Sequence, residues 1–302
     1  MLNDYIKAYE YESNVNPPLK SIPISTKNIN ECHFGIEFID FSEIYNVAFK
    51  CTSPNLLASF IKLESNYELI LETKKDNYNF NASSHLFYIM KGNCEIIVDN
   101  DLFKISENDI FICPCFSLTN ISNPGKEELQ IYYINDSPLV NYLGTISINK
   151  IFKASIYSSE FLKQKMNELS NPNNNRKGIL LSNEDTEKIG INTITPVLWS
   201  LYNELPPHTK QKVHKHNSVA LDLCINCSDS ENIFTLLGEE IDKDGNIINP
   251  TKVNWVKGEM FITPPGLWHS HNNLGDTYAY ILPIQDAGLL LFQRILGIEL
   301  YK

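Results

Sequence analysis

GEMFITPPGLWHSHNN, residues 258–273, sets two of the chain's seven histidines one residue apart, just behind a Pro-Pro-Gly turn that follows a short apolar run. Side chains of an extended segment alternate with a period of two, so His269 and His271 share a face there. One face with two imidazoles is either a metal site or a wet surface. The rest of the chain has to discriminate between them.

The chain has 302 residues, 43% of them hydrophobic, enough to bury a substantial core in one large or two medium domains. A net charge of −11 and a pI near 5.1 repel phosphate backbones, which argues against a nucleic-acid partner. Arg176 and Arg294 are the only arginines, so the usual bidentate clamp for carboxylates is scarce. The seven cysteines are odd in number and their spacings suggest no disulfide framework. Cys224-x-x-Cys227 lacks the second CxxC of a zinc ribbon, so the cysteines read as reduced, mostly buried thiols of a cytoplasmic protein. The opening MLNDYIKAYEYE is polar and acidic, unlike a secretory signal, and no apolar run approaches the roughly 18 residues of a membrane span.

Residues 1–50 read as an irregular arm with one or two short helices, interrupted at Pro17-Pro18. Residues 51–150 read as a first β domain, whose runs ASFIKLE, ELILETK, HLFYIMKG, CEIIVDN, LFKIS and DIFICP are strand-like and separated by turn residues. Residues 151–190 read as a helix, SEFLKQKMNEL at 159–169 with a serine cap, followed by the polar linker SNPNNNRKG. From 191 to 302 strand character returns, with DKDGN at 242–246 as a hairpin turn and DAGLLLFQRILGIEL as a closing amphipathic helix. Many short strands with frequent turns predict sandwiches or barrels. NDIFICPCFSLT at 108–119 aligns without a gap on GEMFITPPGLWH at 258–269, matching Phe111 to Phe261, Ile112 to Ile262 and Pro114 to Pro264, as two copies of one unit would. Thr119 then stands where the second copy has His269.

About fifty residues before His269, the segment PPHTKQKVHKHNSVALD holds His214 and His216, again sharing a strand face. H-x-H followed by G-x5-P-x-G-x2-H-x3-N, from Gly258 through Pro264, Gly266 and His269 to Asn273, resembles the two signature motifs of the cupin superfamily. The resemblance is strong over residues 205–285 and weaker over 60–135, and implies a mainly β bicupin: two double-stranded β-helix (jelly-roll) barrels in tandem with a few flanking helices. It implies His214, His216 and His269 as metal ligands. Two imidazoles come from one strand and the third across the interior, leaving open positions on the ion for substrate and oxygen. The first cupin motif commonly adds a glutamate four or five residues after its second histidine, where this chain has Ala220 and Leu221. Asp222, one residue on, shares the strand parity of the histidines. It is open to reading as a fourth ligand, a partner of a ligand, an inward-facing acid or a backbone-satisfied buried carboxylate, with the inward acid favoured over direct ligation.

Three histidines without a glutamate, in HKHNSVAL and TPPGLWHSHNN, are similar to the gentisate, salicylate and 1-hydroxy-2-naphthoate dioxygenases. That resemblance implies an Fe(II)-dependent dioxygenase acting with O2 on a small oxygen-chelating substrate such as a hydroxylated aromatic acid. His271 and Asp222 would supply general acid or base. His271 reads equally as a partner of Asn273 or of a backbone carbonyl. The chain departs from that family in carrying the intact motif in its C-terminal half and in its lack of arginine. Lys215 is out of phase with the histidines, Lys212 and Lys215 are both expected outside, Trp268 is expected to pack, and His208 is in phase but in a loop. The first unit, with His85 alone and Thr119 in the third histidine's place, is expected to be metal-free. Zinc, nickel or manganese in a lyase, isomerase or decarboxylase, and a non-catalytic binding cupin, are the competing readings on the same fold. A homodimer or higher homo-oligomer is expected, with no membrane partner.

Overall fold

The computed structural model describes residues 5–73, 78–169, 171 and 177–301. Arg176 and most of the linker read at 170–178 lie outside the described residues. The molecule is mainly β, built from two six-stranded sheets at its centre, a third six-stranded sheet and a four-stranded sheet. One central sheet runs Ser155–Tyr157, Ile110–Pro114, Ser84–Lys91, Leu129–Asn135, Leu57–Leu63, Gly35–Ile39. The other runs Thr26–Asn28, Glu259–Thr263, Ala220–Asn226, Ala279–Gln285, Trp199–Leu205, Lys177–Leu181. A core containing Phe60, Leu86, Tyr132, Leu221, Ile262 and Leu282 joins these two sheets face to face. Their opposite faces pack on the outer sheets, through Phe87, Phe111 and Ile121 in the N-terminal half and Cys224, Trp255 and Phe261 in the C-terminal half. Central strands are therefore covered on both sides. This explains why Ile110–Pro114 is a continuous apolar run buried at every position instead of an alternating one.

The two central sheets repeat strand for strand, and the spacing between matched residues stays constant well past the aligned segment. Asn123 and Asn273 each use the side-chain amide to hold the same turn: Asn123 donates to Leu63 and Glu127 carbonyls, Asn273 to Leu205 and Thr277 carbonyls, and each accepts from a glycine N–H two residues on. Asp136 and Asp286 likewise precede the equivalent helices Ser137–Tyr142 and Ala287–Phe292 and accept from Ser84 and Val219 N–H respectively.

The arm expected to be irregular contributes two strands, and they go to different halves. Thr26–Asn28 pairs with Glu259–Phe261 of the C-terminal half, while Gly35–Ile39 pairs with the N-terminal strand Leu57–Leu63. The segment after residue 150 does the same in reverse: Ser155–Tyr157 pairs with Ile110–Ile112, and Lys177–Leu181 with Trp199–Leu205. Each half thus caps one edge of the other's central sheet. A further helix, Glu184–Lys188, is capped by Asn183.

One local expectation holds and one is corrected. The helix Ser159–Leu169 is present with a serine cap, Ser158, whose hydroxyl oxygen accepts from the Phe161 N–H. The closing helix stops at Phe292: Arg294 turns the chain with φ +63°, and Ile298–Leu300 returns as a strand on His214–His216. Asn217 holds the turn by donating to the Ile295 carbonyl and accepting from the Gly297 N–H. Tertiary pairing overrides the helical periodicity of this tail.

Candidate metal centre

The histidines of the two motifs meet on the inner face of the third sheet. His214 lies directly opposite His269 in an antiparallel pair. Ring centroids are 4.1 Å apart for His214 and His269, 4.8 Å for His216 and His269 and 6.1 Å for His214 and His216. All three are buried, and one nitrogen from each lies within 4.8 Å of the others. Among the described residues this is the one histidine, cysteine and carboxylate cluster with such convergence, and Asp222 is not part of it.

Backbone carbonyls fix the tautomers. His214 Nδ1 is 3.1 Å from the Lys212 carbonyl, His216 Nδ1 2.9 Å from that of Ser218, and His269 Nδ1 3.0 Å from that of Leu267. A carbonyl only accepts, so each Nδ1 carries the proton and each Nε2 the lone pair. Three buried Nε2 lone pairs on one side of a common point suit a first-row divalent ion with open positions, so the residues present fit the group that the motifs imply. Ser218 adds a link: its hydroxyl donates to Gln285 Oε1 at 2.7 Å and lies 3.1 Å from His216 Nδ1.

His271 is buried one step further along the same strand, 6.0 Å from His269 and 6.4 Å from His214 between ring centroids. Its Nδ1 lies 2.8 Å from the Thr235 hydroxyl. That hydroxyl accepts from Trp255 Nε1–H at 2.8 Å, so the arrangement that uses every donor has Thr235 donating to His271 Nδ1. The proton of His271 then sits on Nε2, the reverse of the three clustered histidines. Gln211, whose N–H donates to the His271 carbonyl, is buried with Oε1 lacking a hydrogen-bond partner.

Asp222 points to the same interior: it pairs in register with Phe261, and its carboxylate accepts from Thr263 Oγ1 at 2.7 Å. Lys215 lies outside, ion-paired with Glu299 at 3.0 Å and 4.4 Å from the ring of the packed Trp268, and Lys212 is exposed. His208 sits in a left-handed turn at φ +54° facing Asp276, away from the cluster. Arg294 is exposed, so no described arginine enters the site. In the first unit, register places Leu71 opposite Thr119 where the second has His214 opposite His269. Ser218, Gln285, Thr235 and Trp255 escaped the sequence reading. Ser218 is signalled by its place two residues after His216, whereas Gln285 and Trp255 come from segments that carry no motif.

No protein-family model and no curated protein matches the sequence. Solved structures do match. Salicylate 1,2-dioxygenase from Pseudaminobacter salicylatoxidans superposes with a TM-score of 0.72 over 97% of this chain and 92% of its own, at 11% identity. The fold is shared with this bicupin dioxygenase. Its adduct with gentisate gives 0.71 over 99% and 88% at 12% identity. Hazelnut (Corylus avellana) vicilin has a more distant likeness to the chain, 0.54 over 92% and 85% at 10% identity. The likeness to salicylate dioxygenase and to vicilin alike establishes the fold, and the chemistry has to rest on the histidines.

Proposed function

We propose that the chain is a cytoplasmic Fe(II)-dependent dioxygenase acting with O2 on a small substrate that presents two chelating oxygens, of the hydroxylated aromatic acid class to which salicylate and gentisate belong. The observation that carries the proposal is the triad His214, His216 and His269, held as three neutral Nε2 donors with no carboxylate among them. Neutral ligands leave a bound dication its full charge, which favours an anionic bidentate substrate and serves in place of an arginine clamp. The chemistry supplied by a bound Fe(II) is coordination of both reactants and electron donation to O2.

The chain's own residues do the rest. His271, with its proton on Nε2 through the Thr235 and Trp255 relay, donates to a substrate oxygen or takes part in proton movement there. Gln211 Oε1 is available to accept from a substrate hydroxyl. Asp222 offers a second proton-handling group, oriented by Thr263. The burial of all three ligands keeps bulk water from the ligating nitrogens.

Metal content by mass spectrometry, on protein purified without added metal or a histidine tag, tests this beside a His214→Ala/His269→Ala control. Near-stoichiometric iron that disappears in the control, with oxygen uptake on salicylate or gentisate, is the expected result. Turnover without oxygen uptake on zinc, nickel or manganese, persisting after anaerobic Fe(II) reconstitution, would replace it with Lewis-acid chemistry at the same histidines.

A further inference from the structure

The four-stranded sheet of the N-terminal half runs Glu68–Glu72, Leu118–Ser122, Cys94–Val98, Asp101–Ile105. Its inner face buries Leu71, Ile121, Ile96 and Ile105 in the core around Phe87 and Phe111. By the period of two, the outer face of such a sheet is expected to be polar. One row of it is not. Register sets Ile70, Asn120, Ile97 and Leu102 side by side across all four strands. Ile70 is 60% exposed, Leu102 52% and Ile97 39%, with Leu118 beside them at 42%. The adjoining row is Glu68, Ser122, Glu95 and Lys104. The matching face of the C-terminal half is finished differently. Trp268 stands there in the place of Leu118, with the Lys215 ammonium 4.4 Å from its ring, and Lys252 lies 4.2 Å from the ring of Phe234. Those lysines cover aromatic surface and keep their charge in water. The N-terminal row is instead an exposed aliphatic band rimmed by charge, the character of a contact surface.

We propose that this face packs on the same face of a second copy of the chain, about a two-fold axis lying in the interface and parallel to the strands, between Leu118–Ser122 and Cys94–Val98. Such an axis exchanges the first strand with the fourth and the second with the third, and leaves the rows in place. Ile70 then meets Leu102 of the second copy, and Glu68 meets Lys104. The two-fold makes each contact twice. An axis running across the strands would instead bring Glu68 over Glu72 and set the charged row on Leu118. Charge complementarity therefore selects the first arrangement.

The charged groups are set in place before association. Glu68 accepts from Asn120 Nδ2 at 3.2 Å, and Lys104 pairs with Glu95 at 3.2 Å within the same copy. Four five-residue strands span roughly 300 Å² at ordinary strand spacing, well below the roughly 800 Å² a side of a standard subunit interface. The dimer is accordingly a reversible one whose subunits exchange. The inference does not depend on which metal the histidines hold.

Analytical ultracentrifugation of the full-length chain over a concentration series tests this. The expected result is a reversible rise in mass from 34.5 kDa to twice that value. Glu68→Lys sets lysine on lysine across the axis and Lys104→Glu sets acid on acid, so each variant alone should dimerise at least about tenfold more weakly. An equimolar mixture of the two variants should recover tight association, because every heterodimer again places a lysine on an acid at both positions. A wild-type chain that stays at 34.5 kDa throughout the series overturns the proposal. So do single variants that associate as tightly as the wild type, or a mixture no tighter than its components. Glu68 and Lys104 are both exposed, and the wild-type reading stands whatever the variants do.

Discussion

His214 and His269 are direct partners across an antiparallel ladder, with ring centroids 4.1 Å apart and each Nδ1 tied to the carbonyl two residues before it. Neither ring can swing away without breaking a partly buried hydrogen bond, so the donor set is organised before any ion arrives. Metal binding should therefore act as simple ligand stabilisation, about 2.7 kcal/mol at a free metal concentration one hundred times Kd. Thermal unfolding of metal-stripped protein should rise by several degrees on adding Fe(II) anaerobically. His214→Ala/His269→Ala should abolish that rise, and a rise that survives in the variant would place the metal elsewhere.

Ser218 ties His216 to Gln285 through one hydroxyl. Groups that orient a ligating imidazole typically contribute ten- to a hundredfold in metal affinity. Ser218→Ala should weaken metal binding by about tenfold, read by competition with a chelator, while the secondary structure seen by circular dichroism is unchanged. Equal affinity in the variant would reduce Ser218 to a packing residue.

The convergence of the three histidines was legible because strand parity and the P-x-G turn are local, and both survive folding unchanged. His214, His216 and His269 needed no knowledge of distant contacts. Thr235, Trp255 and Gln285 were not legible, because what makes them matter is register between strands far apart in sequence. The arms were misread for a similar reason. Thr26–Asn28 and Ser155–Tyr157 are three-residue strands whose partners lie in the opposite half, so no pattern within either segment announces them. The tail failed on competition, its helical periodicity being overridden after Phe292 by the Asn217 clamp and by pairing with the histidine strand.

That tail covers the outer edge of His214–His216, and Tyr301 extends the cover by donating its N–H to the Val213 carbonyl. Its ring also lies against Gly245, where φ is +81° and an added Cβ would come within 2.4 Å of the ring. Ending the chain at Leu296 should expose the histidine strand and lower metal affinity more than it lowers the amount of folded protein. Chelator competition and urea unfolding on the same sample would show this, and parallel losses in both would mean that the tail only stabilises.

The N-terminal arm should matter to the C-terminal half. Ile29, 2% exposed, packs at Gly258, whose φ is +79° and whose added Cβ would lie 3.0 Å from Ile29 Cγ2. Gly258→Ala should cost about 1–3 kcal/mol, from the left-handed backbone and the crowding together. Deleting residues 1–34 should leave the edge of Glu259–Thr263 open and promote aggregation. Urea midpoints and light scattering measure the two effects. A deletion as stable and as monodisperse as the full chain would show that the exchanged strand is dispensable.

His85 should make the fold sensitive to acid. It is fully buried in the N-terminal half, with Nδ1 2.8 Å from the Tyr133 hydroxyl, its ring 4.3 Å from that of Phe116 between centroids, and Nε2 without a hydrogen-bond partner. Burial drives its pKa down to about 3. An unfolded histidine titrates near 6.5, so between those values the unfolded chain binds a proton that the folded chain refuses. Stability is therefore lost as pH falls from about 6.5 towards 3, with a slope approaching 1.4 kcal/mol per pH unit from this group. Replacing both hydrogen-bond partners, His85→Leu with Tyr133→Phe, leaves no new orphaned group behind. Urea unfolding free energies of the double variant should fall less steeply between pH 6 and 4, by about one proton, whatever its stability at pH 7. Parallel pH curves for the two proteins would assign the acid sensitivity to other groups.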